Sequence, residues 1–144
     1  MIEMFAINAT DVRREWSTIM DDVVRNKPRF IKRTRDYMML ADIRLLKDIL
    51  SAYHFTADKF MEDDGSITLS LNEIDLIENG KTEKEAKSLL AQSIYDYAEN
   101  FYSEYDLYSS APNRKAHIPY VLKALIADNI NEIGDSIQCR HGKN

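Results

Sequence analysis

Cysteine is nearly absent from this chain: Cys139 is the only one in 144 residues. An intrachain disulfide is therefore excluded, and so is any zinc or iron–sulfur site built from several thiols. Such a composition fits a reducing compartment, and we expect a cytoplasmic protein. Glycine is also scarce, with four residues, so loops that cradle a phosphate or nucleotide have little to be made from. No apolar run approaches the ~20 residues that a membrane-spanning helix needs. The opening MIEMFAINATD has acids where a secretion signal would have a basic flank and a long apolar stretch, so no membrane association is expected. No serine elbow or credible Cys–His pair marks a nucleophile. His54, His117 and His141 have no two-histidine helix spacing. We expect neither an enzyme nor a metal or other cofactor.

What is present is an uneven distribution of charge. Residues 1–50 carry ten Lys/Arg against eight Asp/Glu, a net of +2, and residues 51–144 carry nine against sixteen, a net of −7. Between Arg13 and Arg35 lie eight basic residues opposed only by Glu15, Asp21 and Asp22. A basic island on an acidic protein predicts a polyanion-binding end and a different task for the remainder. We place the division at residues 1–52 and 53–144. A piece of about fifty residues buries too little surface to be comfortably stable alone, which predicts that a second copy completes it.

The pattern of apolar residues predicts an α+β protein. Residues 4–7 read as a strand, after which Thr10 is placed to cap a helix with Val12, Trp16, Ile19, Met20 and Val23 along one stripe. Asn26 and Pro28 end it. Phe30-Ile31 and residues 37–41 read as a hairpin turning through Arg33-Thr34-Arg35-Asp36. Asp42 then heads a helix with Leu45, Leu46, Ile49 and Leu50 on its apolar face. Further on, residues 53–61 and 66–71 read as strands about an Asp64-Gly65 turn, the second alternating strictly between apolar and polar. A short run follows at 75–77, and then Gly80. Thr82 and Glu85 have capping-box spacing before a helix that carries Ala86, Leu89, Leu90, Ile94, Tyr97 and Phe101. A loop at 109–114, a helix from Ile118, a weaker helical stretch with Ile130, Ile133 and Ile137, and a frayed end over 140–144 complete the reading.

The stretch INATDVRREWSTIMDDVVRNKPRFIKRTRDYMMLADIRLLKDIL resembles the amino-terminal domain of Phd/YefM antitoxins. Thr10 falls at the helix-start position of that pattern, Arg13 at its arginine, Trp16-Ser17 at its Leu-Ser pair and Phe30-Ile31-Lys32-Arg33 at its basic strand. The turn Thr34-Arg35-Asp36 departs from it in having no glycine, and Asp42 replaces the usual serine cap. The resemblance implies a dimer whose two β-α-β-β-α units form one shared sheet and grip operator DNA; a higher oligomer is the alternative to a dimer. Arg13 and Arg33 are then the first candidates for contact, with Thr10, Arg14, Lys32 and Arg35 positioning the backbone. Such a role suits arginine, which pairs bidentately with a guanine edge or clamps a phosphate. Without the resemblance, each of these arginines reads first as a solvated surface charge.

The order hairpin, short strand, Gly80, Thr82, Glu85-Ala86 and amphipathic helix resembles HicB-type antitoxins over about residues 53–104. That likeness implies a reduced RNase H-like fold that binds a toxin and has no catalytic function. The aromatic patch Tyr95, Tyr97, Phe101, Tyr102, Tyr105 and Tyr108 is interleaved with Asp96, Glu99, Glu104 and Asp106. Nucleic-acid stacking platforms sit in cationic grooves, so this one suits a basic protein such as a nuclease toxin. Tyr95, Tyr102, Tyr105 and Tyr108 are the candidate toxin contacts; ordinary amphipathic surface is the alternative. The expected function is that of a type II antitoxin that neutralises a protein toxin and represses its own operon as a DNA-bound dimer. Alternatives are a stand-alone transcription regulator with an effector- or protein-binding second region, and a small metal-dependent nuclease using the acidic clusters Asp63-Asp64 or Asp21-Asp22.

Overall fold

A computed structural model describes residues 1–142 and divides into two compact units, Met1–Ile49 and Leu50–Asn144. The first unit begins with a 3-10 turn and β1 (Ala6–Asn8), followed by α1 (Ala9–Arg14), α2 (Trp16–Arg25), β2 (Arg29–Arg33), β3 (Asp36–Leu40) and α3 (Ile43–Leu50), whose last residue lies across the boundary. Its sheet has the order β1-β2-β3, with β1 parallel and β3 antiparallel to β2. Val12, Ile19 and Val23 form its buried core, against which Ile7, Met20, Ile31 and Leu40 pack.

Local chemistry corrects the sequence reading at the first helix. The backbone enters the helix at Asn8, so Thr10 lies within the first turn and does not cap it. The single helix expected over Val12 to Val23 is two, broken at Glu15 (φ −110°, ψ 32°). The break turns Trp16 off the core stripe and leaves it 55% exposed. Pro28 ends the helical run as expected. Asp22 fastens that corner by accepting from the Asn26 amide and the Arg29 guanidinium, which hold its carboxyl below the usual range. Asp42 heads α3 by accepting from the Arg44 backbone N–H at 2.8 Å. Its bonds to the Arg44 side chain and backbone lower its pKa to about 2.

The β2–β3 turn closes without glycine. Thr34 has a φ of 55°, the left-handed region that L-residues with a β-branch avoid, and Arg33 faces Asp36 in register. Two-residue hairpin loops of the primed types need a positive φ at their first central position, which glycine supplies without steric cost.

The second unit holds β4 (Thr56–Met61), β5 (Ile67–Leu71), β6 (Ile77–Gly80), α4 (Glu83–Ser103), α5 (Tyr105–Ser110), α6 (Ile118–Leu125), α7 (Ile130–Ser136) and β7 (Gln138–His141). Its sheet has the order β6-β5-β4-β7, antiparallel except for the parallel pair β4 and β7. Ile67, Leu69 and Leu71 alternate inward as expected and meet Leu90, Ile94 and Phe101 of α4 in one core. Thr82 caps α4 by accepting from the Glu85 N–H at 3.1 Å, while the Glu85 carboxylate reaches back to the Lys81 N–H at 2.9 Å. A Cβ on Gly80 would stand 2.5 Å from the Ala86 nitrogen, so glycine lets β6 approach the first turn of α4.

Several expectations for this unit are corrected. The first strand starts at Thr56 and not at Tyr53, and the short run at 75–77 becomes β6 only from Ile77. Leu89 is 40% exposed; the buried stripe of α4 runs instead through Ala91 and Ala98, whose small side chains admit α6 and α7. Residues 105–110, partly read as loop, form α5. The tail is not frayed over 140–142: β7 pairs Gln138 through His141 with Thr56 through Lys59, and Gly142 N–H donates to the Lys59 carbonyl at 2.8 Å. Lys143 and Asn144 lie outside the described residues.

Candidate functional sites

In the first unit, the end of β1, the first turn of α1 and the adjoining parts of β2 and β3 enclose an open groove of about 740 Å³. Thr10, Arg13, Lys32 and Arg33 all line it, so four of the six candidate DNA contacts converge although they come from distant parts of the sequence. Parallel pairing of β1 with β2 does this by setting Asn8 opposite Lys32, beside the helix start. Lys32 lies 5.7 Å from the centroid of the Tyr37 ring, which braces its ammonium. Arg13 and Arg33 are exposed.

The other two candidates lie outside this lining. Arg14 is ion-paired with Asp11 one helical turn earlier, and Arg35 stands at the exposed hairpin tip. Trp16 and Met38 add apolar walls, 55% and 47% exposed, that the sequence reading assigned to the core stripe and to an apolar strand. No local signal foretold the break at Glu15 that puts Trp16 there. Around this unit Met4, Phe5, Val24, Met39, Ile43 and Ile49 are also more than half exposed, an unusual apolar load for so small a core. β3 is an edge strand of its sheet.

In the second unit, the four candidate tyrosines separate. Tyr102 is 66% and Tyr105 39% exposed, with Leu107 beside them at 68%. Asp96, Glu99, Glu104 and Asp106 are all exposed around them, making an acidic apolar surface along the end of α4 and α5. Tyr95 and Tyr108 instead pack against the core, and Tyr108 lies 5.2 Å from Phe101, centroid to centroid. Leu107 escaped the sequence reading because an isolated leucine within an aromatic run carries no periodic signal.

Among the described residues no group of three His, Cys, Asp or Glu side chains could hold a metal ion. Asp64 is engaged with the Ser66 backbone and hydroxyl in its turn. No helix among the described residues is long and apolar enough to cross a membrane.

The first unit thus carries a groove lined by Arg13, Lys32 and Arg33, and the second, joined to it in sequence, an acidic surface with exposed aromatic side chains. The chain belongs to the PHD-like family, described as antitoxins of RelE/RelB toxin–antitoxin systems, whose model matches residues 1–139. A crystal structure of the antitoxin part of a proposed toxin/antitoxin system from Syntrophomonas wolfei subsp. wolfei is similar throughout. The two share 36% identity and a TM-score of 0.91 over 95% of this chain and 99% of that one. No curated protein matches the sequence. The protein is thus an antitoxin of a toxin–antitoxin system, not an enzyme, and a cognate toxin is its partner.

Proposed function

We propose that the first unit binds operator DNA as a homodimer, repressing the operon, and that the second unit neutralises the toxin. The observation that carries the DNA reading is the convergence of Thr10, Arg13, Lys32 and Arg33 on one groove. Its strand-helix-hairpin-helix order and the Arg13 and Arg33 positions support the narrower likeness to Phd/YefM antitoxins. Exposed Met39, Ile43 and the free edge of β3 support dimerisation. In the second unit, the hairpin, third strand and capped α4 support the HicB-type likeness. Tyr102, Tyr105 and Leu107 amid four carboxylates suit a basic toxin surface, with Tyr95 and Tyr108 serving beneath it.

The test for DNA is binding of the full chain to its own upstream promoter over a range of salt. Arg13→Ala with Arg33→Ala should abolish specific binding and reduce the slope of log K against log salt by about one for each phosphate contact removed. An unchanged slope and affinity would place the DNA site elsewhere. For the toxin, Leu107→Asp in the full chain should weaken binding to the product of the adjacent gene by at least about tenfold, since an exposed anchor becomes a charge. Unchanged protection of cells from that product would move the toxin surface off α5.

A further inference from the structure

The second unit also holds a polar pocket of about 580 Å³ that shares only Tyr108 with the surfaces described above. The loop between β5 and β6 forms one wall with Asp75 and Leu76; Tyr97, Tyr108, Arg114 and His117 form the other. The Arg114 guanidinium lies 4.6 Å from the Tyr108 ring centroid and 6.0 Å from that of Tyr97. Stacking fixes the plane of the guanidinium while leaving N–H donors at its edge. Among the described residues no carboxylate forms an ion pair with it, and Asp75 likewise has neither ion pair nor hydrogen bond. Glu73, also in the lining, is already engaged with the Thr56 backbone N–H at 2.7 Å and the Thr56 hydroxyl.

The Tyr97 hydroxyl is 2.7 Å from His117 Nδ1. Burial raises the Tyr97 pKa, and burial together with Arg114 lowers that of His117, so both are neutral near pH 7. With the tyrosine hydroxyl donating, Nε2–H of the imidazole remains a hydrogen-bond donor. Arg114, Asp75 and His117 all line this one hollow.

A pocket with an unpaired cation and an unpaired anion discriminates by charge arrangement. Phosphate would meet the Asp75 and Glu73 carboxylates, and a simple cation would meet Arg114. A dipolar ligand satisfies both. We infer that this pocket binds a free α-amino acid, with its carboxylate on Arg114, its ammonium on Asp75 and its side chain against Tyr97 and Leu76. The volume falls within the roughly 300–1,000 Å³ common to small-molecule sites. The inference does not depend on the DNA or toxin roles.

Titration calorimetry of the full chain with each of the standard L-amino acids tests it, with acetate, methylammonium and inorganic phosphate as controls carrying one kind of charge. At least one amino acid should bind, at least about tenfold tighter than any control, because only it engages both charges. Arg114→Gln and Asp75→Asn should each weaken that binding by about tenfold or more. Asp75 is exposed, so Asp75→Asn retains the fold even if loss of the Arg114 stack loosens α5. Absence of binding by every amino acid, equal binding of phosphate, or binding indifferent to Asp75→Asn would overturn the assignment.

Discussion

Thr34 carries the clearest local strain in the first unit, a positive φ on a β-branched residue at a hairpin tip. The left-handed region costs an L-residue roughly 1–2 kcal/mol, while glycine loses about 0.5–1 kcal/mol of chain entropy on ordering. Thr34→Gly is therefore expected to stabilise the protein by about 0.5–1 kcal/mol in urea denaturation. A destabilisation would mean that the threonine side chain contributes more than its backbone costs. Thr34 lines the basic groove, so strain at that position sits where ligand contact is proposed. The resemblance to the Phd/YefM pattern marked this turn as a departure for lack of glycine, but only the backbone shows which residue takes the unfavourable conformation.

At the level of elements, the junction of β6 and α4 rests on Gly80. Because the atoms facing a new Cβ are backbone atoms of Glu85 and Ala86, neither side can move cheaply, and Gly80→Ala is expected to cost about 1–3 kcal/mol. The measurement is the denaturation midpoint at unchanged slope; a midpoint equal to that of the wild type would show that β6 can shift away from the helix. This junction was legible in the sequence, since the Thr82–Glu85 spacing just after Gly80 is a short-range signal that needs no partner. The alternation of β5 was legible for the same reason. β7 was not, because Gln138-Cys139-Arg140-His141 has no apolar alternation and becomes a strand only by pairing with β4. The separation of Tyr102 from Tyr108 was equally hidden, since both sit in one aromatic run and only the packing of Phe101 and Arg114 on Tyr108 distinguishes them.

For the molecule as a whole, the first unit has three buried apolar side chains and a larger set of exposed ones. A core that small should draw stability from association, so melting of the first unit is expected to rise with protein concentration while the second unit melts independently of it. Circular dichroism melts of the full chain over about a hundredfold range of concentration, with sedimentation equilibrium alongside, provide the check. A concentration-independent melt and the mass of a single chain would remove the dimer from the proposed function. The second unit is held in a different manner. Arg140 and Asp58, 82 positions apart, are joined at 2.9 Å across the parallel pair of β7 and β4. A fastening between such distant segments forms late, because the intervening chain must first be gathered. During synthesis β4 therefore keeps one edge open until residues 138–141 have left the ribosome, and until then the newborn second unit is open to capture by other strands or by proteases.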